Sequence, residues 1–152
     1  MDKYKDKMIT NEWIPGREDI SIPLEIRSLV FGENGIKDGF DEYAMHILVS
    51  CGDDDVATGR IYLENDNSFY ISHVCVKEEF RNMGIGDMTV KLLLFRGFTF
   101  AQYINAVIPC DLLKYFTKYG FGVKEEKEDG KVLISLYKDD VIYPSKCGGK
   151  HV

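Results

Sequence analysis

Two glycines one residue apart, in the stretch FRNMGIGDM of residues 80–88, separate a strand-like run from a long apolar one. The run before them, SFYISHVCV, is rich in β-branched and aromatic residues, and the run after them, DMTVKLLLFRGFTF, is apolar nearly all round. This order predicts a strand, a tight turn and a buried helix. Glycine at this density indicates that the backbone turns tightly or approaches another group closely. The fold must therefore accommodate a strand–turn–helix unit near the middle of the chain.

Two further β-rich runs precede this unit. They are MHILVSC and VATGRIYLE, and the turn sequences GDDD and ENDN separate the three runs. Adjacent strands joined by tight turns form an antiparallel meander. Upstream, MITNEWIP has the pattern of a first strand, and a helix is expected with Ser21 as its N-cap and Pro23 in its first turn. The segment IKDGFDEYA is typical of a second short helix or a structured loop.

A strand, a helix and a hairpin are expected after the central helix. YINAVIP has the pattern of a strand, and CDLLKYFTKYGF that of a helix capped by Cys110 or Asp111 and ended by Gly120. Asp129 and Gly130 mark the turn of the hairpin. Together the segments predict an α+β fold, with a mixed, mostly antiparallel sheet of six to seven strands and about four helices on its faces.

Length and charge narrow the classes of protein that this chain can belong to. At 152 residues it is expected to form one domain, 1–152, with residues 139–152 as a peripheral tail. Its net charge is −6, which argues against nucleic acid and against an acidic membrane surface as partners.

The expected location follows from three further features. The first ten residues lack the apolar core of a secretory signal, and the apolar run MTVKLLLFRGFTF is too short and too charged to span a bilayer. The cysteines are far apart and have no metal-ligand spacing, which predicts reduced thiols and no metal site. We therefore expect a cytoplasmic protein whose cysteines are Cys51, Cys75, Cys110 and Cys147.

The glycine turn has the arrangement of an anion site, because free backbone N–H groups and the positive end of a helix dipole face outward there. GIGDMT lacks the third glycine of a dinucleotide-binding turn. The lysine of a P-loop is absent as well, since Asp87 and Met88 follow the glycines. The alternative is that Gly84 and Gly86 only allow the helix to pack close to the sheet.

The segment VCVKEEFRNMGIGDMTVKLLL resembles the acetyl-CoA-binding signature of the GNAT superfamily of N-acetyltransferases. In that signature a strand ends in apolar-x-Val, and Arg/Gln-x-x-Gly-x-Gly/Ala opens a helix; Arg81, Gly84 and Gly86 match it at full spacing. Further along, CDLLKYFTKYGF resembles the family's second marker, a helix that ends in Tyr-x-x-x-Gly-Phe. IRSLVFGENGIKDGFDEYAMHILV is similar to a subgroup of small bacterial GNAT proteins. The resemblance implies the α/β/α-layered GNAT fold.

The resemblance also implies that the chain binds acetyl-CoA, or CoA, as a cosubstrate. The strand before the turn is expected to splay from its parallel neighbour, so that Val74, Cys75 and Val76 bond the pantetheine arm as an added strand would. The pyrophosphate is expected against the amides of the turn, where it gains charge-assisted hydrogen bonds. Asn stands where the family often has glycine in this turn, and it tolerates a left-handed backbone. The residues of the turn are Arg81, Asn82, Met83, Gly84, Ile85, Gly86 and Asp87.

Acetyl transfer needs a proton donor for the departing CoA thiolate, and the resemblance leaves this donor open. The family's usual donor is the Tyr of Tyr-x-x-x-Gly-Phe, and this position is Phe116 here. Tyr115 and Tyr119 flank it on the helix face that Leu112 shares, and Cys110 begins the helix. One of the tyrosines, Cys110 or solvent can supply the proton, and each tyrosine can instead be a core residue.

Direct transfer also needs a base that takes a proton from the acceptor ammonium. The resemblance points to Tyr70 or Ser72 on the strand before the turn, with His73 adjacent. His73 has a suitable intrinsic pKa, but strand alternation predicts that it faces away from Tyr70 and Ser72 unless a bulge intervenes. His46 and Glu64 are further candidates.

The acceptor pocket implied by the resemblance is framed by the first helices and the loop after them. Glu33, Asp41 and Glu42 lie there and carry the charge that an ammonium requires. They can equally be solvated loop charges and helix caps.

These features predict an N-acetyltransferase that moves acetyl from acetyl-CoA to a primary amine of a small molecule or peptide. Two alternatives stand beside it. One is a GNAT-fold module that holds acyl-CoA as a sensor or scaffold without turnover, which Phe116 suggests. The other is a relative that has lost the cofactor. Pairing of exposed edge strands into a homodimer is a further expectation.

Overall fold

A seven-stranded sheet organises residues 7–144, the part of the chain that the computed structural model describes. The strands are Ile9–Pro15 (β1), Met45–Cys51 (β2), Asp54–Asn65 (β3), Ser68–Val76 (β4), Tyr103–Pro109 (β5), Gly122–Glu126 (β6) and Lys131–Tyr137 (β7). Their order in the sheet is β1-β2-β3-β4-β5-β7-β6, and neighbouring strands are antiparallel except for the parallel pair β4 and β5. The mixed, mostly antiparallel sheet predicted from the sequence is thus confirmed.

Three α-helices occur within the described residues, Ser21–Phe31 (α1), Ile85–Phe100 (α2) and Leu113–Thr117 (α3). Helix α1 covers one face of the sheet, where Ile26 packs with Leu48. Helix α2 covers the other face, and buries Leu93 and its neighbours in the larger core. No helix within residues 7–144 is long and apolar enough to cross a membrane.

The segment IKDGFDEYA forms a structured loop, one of the two forms expected for it, and three α-helices are found in the described residues where about four were expected. Its regular part is a single 3-10 turn, Asp41–Tyr43. The aspartates bond the loop's own backbone: Phe40 N–H donates to Asp38 Oδ1 at 2.9 Å, and Asp38 N–H donates to Asp41 Oδ2 at 2.8 Å. Such local bonds compete with a helix and explain why none forms.

The predicted turns are confirmed, whereas the predicted N-caps are wrong. The third helix begins at Leu113 with Leu112 as its N-cap, and not with Cys110 or Asp111. Ser21 is the first helical residue rather than the N-cap, and its N–H donates to Asp19 Oδ1 at 2.9 Å. Gly120 has a left-handed φ of +106° in the turn that follows the third helix, and Asp129 and Gly130 have the positive φ values, 62° and 70°, of a tight hairpin turn. Residues 145–152, including Cys147 and most of the predicted tail, lie outside the described residues.

Two glycines away from the central turn let α2 lie close to the sheet. A Cβ on Gly97 would come within 2.6 Å of Ile104 Cδ1, and one on Gly59 within 2.8 Å of Leu93 Cδ1. Both distances are shorter than real Cβ contacts, so a larger residue at either position would force the neighbouring side chain to shift. Close helix–sheet packing is therefore achieved by glycines of α2 and β3.

Candidate active site

Strands β4 and β5 are paired over three residues and then separate. The last paired positions are Tyr70 and Asn105. Beyond them β4 runs on to Val76 paired only with β3, and β5 runs on to Pro109 paired only with β7, within the described residues. A wedge-shaped gap, here called the wedge, therefore opens between the two strands, with Tyr70 and Asn105 at its apex.

The edge of β4 that faces the wedge offers backbone groups at alternate residues. Lys77 N–H donates to the Val56 carbonyl at 2.8 Å, which sets the alternation of the β3–β4 ladder. This alternation directs the backbone N–H and carbonyl of Cys75 to β3, and those of Val74 and Val76 to the wedge. The expectation that Cys75 contacts the cofactor is therefore corrected, because its backbone is already bonded and burial raises the pKa of its thiol to about 12.

The turn after β4 carries a run of backbone N–H groups without an acceptor. Those of residues 82–87 make no hydrogen bond to any described residue. Asn82 and Gly84 have positive φ values of 64° and 79°, as a tight turn requires. A Cβ on Gly84 would meet nothing within 4 Å, so this glycine serves the backbone conformation and not helix packing. Arg81 Nε donates to the Val76 carbonyl at 3.0 Å and ties the turn to the strand.

This turn opens onto α2 at Ile85, two residues earlier than the sequence indicated, because Gly84 is the N-cap. The free N–H groups of the first helical turn and the helix dipole together make an anion site. Asp87 does not oppose an anion there directly, because its carboxylate is engaged with Lys91 Nζ at 2.8 Å and with the Tyr119 hydroxyl. The turn is thus suited to a phosphate or pyrophosphate group.

A β-bulge brings His73 to the same face as Ser72. The β3–β4 register shifts between Thr58 and Arg60, and His73 has a φ of 54°. His73 Nδ1 lies 3.2 Å from Ser72 Oγ, and its Nε2 lies 3.2 Å from the Asn34 carbonyl. A carbonyl only accepts, so Nε2 carries the proton and Nδ1 accepts from the Ser72 hydroxyl. The bulge provides the exception to simple alternation that the sequence left open.

His73 and Tyr70 differ in their ability to accept a proton. Burial, with Arg27 and Arg60 nearby, lowers the pKa of His73 below 6.5, so its imidazole is neutral at pH 7. Burial raises the pKa of Tyr70, whose hydroxyl accepts a hydrogen bond from Val107 N–H. Tyr70 therefore remains a phenol at neutral pH, with its hydroxyl oxygen engaged by the Val107 amide.

Arg60 links the 36–44 loop to this part of β4. Its Nη1 lies 2.6 Å from Asp38 Oδ1 and 3.1 Å from Asp41 Oδ1, and its Nε donates to Ser72 Oγ at 2.9 Å. The guanidinium also lies 5.4 Å from the ring centroid of Tyr62. The Arg60 guanidinium therefore contacts the 36–44 loop, the ring of Tyr62 and Ser72 at once.

Asp41 is the centre of this network and is not free to bind an acceptor. It is fully buried and forms a 2.7 Å ion pair with Arg27 Nη1. Burial alone would raise the pKa of Asp41, but hydrogen bonds from Arg27, the Asp38 amide and Arg60 outweigh it and hold the pKa at about 2. The predicted substrate-binding role of Asp41 is thus replaced by a structural one.

His46 belongs to the same buried network. Its Nε2 lies 3.1 Å from the Asp41 carbonyl, and burial lowers its pKa. Of the other predicted acceptor residues, Glu33 lies exposed in the 3-10 turn after α1. Glu42 is exposed too, and lines a shallow cavity together with Arg17 and Lys37. Glu18 and Asp38 line the same cavity, so three carboxylates and two cations lie together there.

The two tyrosines of the third helix have different surroundings. Tyr119 is fully buried, and its hydroxyl donates to Asp87 Oδ1 at 2.5 Å. Tyr115 is partly exposed, with its hydroxyl 3.4 Å from that of Tyr119. Burial raises the pKa of Tyr115 to about 12. Because the hydroxyl proton of Tyr119 is donated to a carboxylate, Tyr119 has no proton to give to another group. The hydroxyl proton of Tyr115 is not held by a carboxylate.

The remaining residues of this helix are less suited to acid chemistry. Phe116 is buried in the core, in T-shaped contact with Tyr115 and Phe121. Leu112 is exposed rather than on the buried face, because it lies in the 3-10 turn Cys110–Leu112, where helical spacing does not apply.

Comparison with solved structures identifies the fold. No protein-family model matches the sequence, and no curated protein matches it. The structure of Escherichia coli ElaA matches at 20% identity and a TM-score of 0.73, over 85% of this chain and 99% of that one. The chain has the GNAT fold. A GNAT family acetyltransferase from Elizabethkingia anophelis with acetyl-CoA bound matches at 17% identity and TM-score 0.71, over 85% and 97% of the two chains. A Bacillus subtilis acetyltransferase in complex with CoA matches at 16% identity and TM-score 0.70, over 86% and 99%.

Within this GNAT fold, sequence reasoning missed three residues at or beside the apex of the wedge: Asn105 forms the apex, Tyr62 contacts Tyr70, and Arg60 bonds Ser72. Tyr62, Arg60 and Asn105 were not singled out, although each interrupts an apolar strand. A charged or amide side chain in the runs VATGRIYLE and YINAVIP has to be paired if it is buried. That pairing requirement is the signal that could have identified Arg60 and Asn105.

Proposed function

We propose that this chain transfers an acetyl group from acetyl-CoA to a primary amine, directly and within a ternary complex. One observation carries the proposal: the unpaired edge of β4 leads from the apex of the wedge into the turn whose N–H groups lack acceptors. An extended amide-containing arm fits the edge, and its anionic end fits the turn. Two solved structures of the same fold, one with acetyl-CoA bound and one in complex with CoA, support the choice of this cosubstrate.

The fit of the cosubstrate can be argued from the chain's own backbone. Val74 offers its N–H and carbonyl toward the wedge, and residues 82–87 offer N–H groups to a pyrophosphate. Open space around the Cβ position of Gly84 leaves room for phosphate oxygens close to the backbone. Acetyl-CoA supplies an acetyl group activated as a thioester. In the transfer a C–N bond forms, the C–S bond breaks, the amine loses a proton and the sulfur gains one.

His73 is the proposed base, acting through Ser72. The Ser72 hydroxyl donates to His73 Nδ1 over 3.2 Å, so a proton that reaches Ser72 Oγ from the amine displaces the hydroxyl proton onto His73. Arg60 Nε donates to the same oxygen at 2.9 Å and holds it in place. His73 Nε2 donates to the Asn34 carbonyl, which fixes the tautomer that this relay needs.

Tyr115 is the proposed proton donor for the CoA sulfur. It adjoins Phe116, which occupies the position where the family resemblance implies a tyrosine. Its raised pKa keeps the hydroxyl protonated at neutral pH. Tyr119 is excluded from the role because its proton is held by Asp87.

The buried Phe116 favours a second candidate, a module that binds acyl-CoA without turnover. A binding module needs the edge of β4 and the turn, but neither His73 nor Tyr115. The two candidates therefore differ in the release of CoA and agree in its binding.

Thermal unfolding with acetyl-CoA tests the binding that both candidates share. At about 100 times its Kd, the ligand stabilises the protein by about 2.7 kcal/mol, a shift of roughly 5–11 °C for a chain of this size. Gly84→Val, which places a side chain where the phosphate oxygens would approach the backbone, should abolish the shift. A matched Gly39→Ala variant should keep it, because a Cβ there meets nothing within 4 Å and its φ is not left-handed. Absence of a shift in the unaltered protein would rule out both candidates.

A thiol-release assay against a panel of primary amines then separates them. Amine-dependent release of CoA supports the enzyme. A thermal shift without release from any amine supports the binding module.

A further inference from the structure

A cavity of about 350 Å³ lies on the opposite side of the apex from the glycine turn. Ser68 and Tyr103, which line it, precede the apex on β4 and β5, whereas the free edge of β4 follows it. Asn105 belongs to both the cavity and the apex. A molecule in this cavity therefore reaches the apex from the side that an extended ligand on the free edge leaves open.

Asn105 has an unsatisfied hydrogen-bond acceptor. Its Nδ2 donates to Glu64 Oε1 at 2.9 Å, and its buried Oδ1 has no hydrogen-bond partner in the described structure. The opposite amide orientation would place two acceptors against each other, so the contact with Glu64 fixes Oδ1 in this position. A buried acceptor of this kind requires a donor, which a ligand can supply.

Glu64 supplies a negative charge beside that acceptor. Its Oε1 contacts Asn105 and lies 3.4 Å from Ser68 Oγ, while its Oε2 has no polar partner among residues 7–144. No lysine or arginine of the described chain forms an ion pair with it. The amide oxygen of Asn105 and a carboxylate oxygen of Glu64 can thus both accept hydrogen bonds from one group that only donates them. An ammonium has three donors and no acceptor.

Lys124 is the charged residue among those that line the cavity. The rest of the lining is amide, hydroxyl and aromatic, contributed by residues such as Asn67, Tyr103 and Ser135. A ligand with a second cation would be repelled by Lys124, whereas a carboxylate would pair with it. The cavity is of the size that accepts a small molecule and not a folded protein segment.

We propose that Glu64 and Asn105 bind the ammonium of the acceptor and that Lys124 binds a carboxylate at its other end. The acceptor is accordingly a small amino-acid-like compound that carries one primary amine and one carboxylate. The functional meaning of this site rests on the acetyl transfer proposed above, but the site itself can be tested by binding alone.

Three probes with the same four-carbon skeleton test the proposal: 4-aminobutanoate, butylamine and 1,4-diaminobutane. In the thiol-release assay we expect a KM for 4-aminobutanoate at least about tenfold below that for butylamine, because its carboxylate makes one further charge contact, with Lys124. The diamine should be the poorest of the three. Lys124→Gln should remove the difference between 4-aminobutanoate and butylamine.

Glu64→Gln is the matched variant at the ammonium end. It should raise the KM for 4-aminobutanoate about tenfold or more and leave the thermal shift with acetyl-CoA unchanged. Equal KM values for the three probes, or an unchanged KM in Glu64→Gln, would overturn the proposal.

Nuclear magnetic resonance of the full-length protein gives a readout that does not depend on turnover. The side-chain amide of Asn105, assigned with an Asn105→Ala variant, should shift on titration with 4-aminobutanoate, and Glu64→Gln should need about tenfold more ligand or more for the same shift. If no CoA is released but this shift occurs, the site stands and the proposed enzyme function fails. If acetyl-CoA binds but 4-aminobutanoate causes neither shift nor turnover, the site fails and the cosubstrate proposal stands.

Discussion

Tyr119 donates its hydroxyl proton to Asp87 Oδ1 across a distance of 2.5 Å. Tyr119 follows the third helix, and Asp87 lies in the first turn of α2, so the bond joins the helices that follow β5 and β4. Lys91 Nζ holds the other oxygen of Asp87 at 2.8 Å. Burial and the Asp87 carboxylate raise the pKa of Tyr119, so the donor keeps its proton at all physiological pH values.

Tyr119→Phe should therefore destabilise the fold. The substitution removes a buried, charge-assisted hydrogen bond and leaves Asp87 with one partner fewer, at a cost of about 1.5–3 kcal/mol. Urea unfolding measures this loss directly. The matched variant Tyr43→Phe alters an exposed tyrosine and should stay within about 0.5 kcal/mol of the unaltered protein. Equal stabilities of the two variants would contradict a structural role of the Tyr119–Asp87 bond.

Gly84 permits a graded test of backbone strain in the turn. Its φ is +79°, and the space around its Cβ position is empty, so any penalty comes from conformation and not from a clash. Gly84→Ala should destabilise the protein by about 1–2 kcal/mol, and Gly84→Asn by less, because asparagine tolerates the left-handed region. Chemical denaturation of both variants gives the order. An alanine variant as stable as the asparagine variant would show that φ at this position is free to change.

The outline of the fold could be predicted from the sequence because its signals are local. The turn residues Asp129 and Gly130, and the alternation in the strands around them, depend only on neighbouring residues. Gly84 belongs to the same class, since its conformation follows from the change from strand to helix. These features need no knowledge of distant contacts.

The candidate site was less predictable because it depends on long-range pairing. Asp41 is in a loop that reads as solvated, yet arginines from α1 and β3 bury it. His73 changes face through a bulge that alternation alone does not indicate. The contact of Asn105 with Glu64 joins positions 41 residues apart. Such contacts arise from sheet register, which the sequence specifies only through the whole fold.

The Arg27–Asp41–Arg60 network predicts acid sensitivity. The folded pKa of Asp41 is about 2, below its ordinary value of 3.8, so its contribution is complete above pH 4 and is lost as pH falls toward 2. This difference between the folded and the ordinary pKa corresponds to about 2 kcal/mol of unfolding free energy. Asp41→Asn should lose about 3–5 kcal/mol at pH 7, because buried arginines lose their counter-ion. It should also flatten the dependence of unfolding free energy on pH between 4 and 2.

Unfolding by urea across this pH range checks both effects. Asp53→Asn is the control, because Asp53 is exposed and outside the network. The same slope in Asp41→Asn as in the unaltered protein would mean that other carboxylates govern acid unfolding.

Tyr115→Phe should lower kcat by about 10²-fold or more, the usual contribution of a positioned acid. The KM for acetyl-CoA should stay within a factor of two or so, because the hydroxyl acts on the departing sulfur and not in ground-state binding. Tyr43→Phe serves again as the control. Steady-state thiol release measures both constants, and a kcat close to that of the unaltered protein would leave Cys110 or solvent as the proton donor.

The pH profile of kcat tests His73. Because its pKa is lowered below 6.5, kcat should be level near pH 7 and fall as acid protonates the imidazole. His73→Gln should lose this acid limb and about 10²-fold in kcat. Ser72→Ala should lower kcat by a similar factor, because the hydroxyl that passes the proton is missing, whereas Ser72→Thr should retain most of the activity. A His73→Gln variant with the original profile would transfer the role of base to another residue, with Glu64 at the apex the next to test by the same measurement.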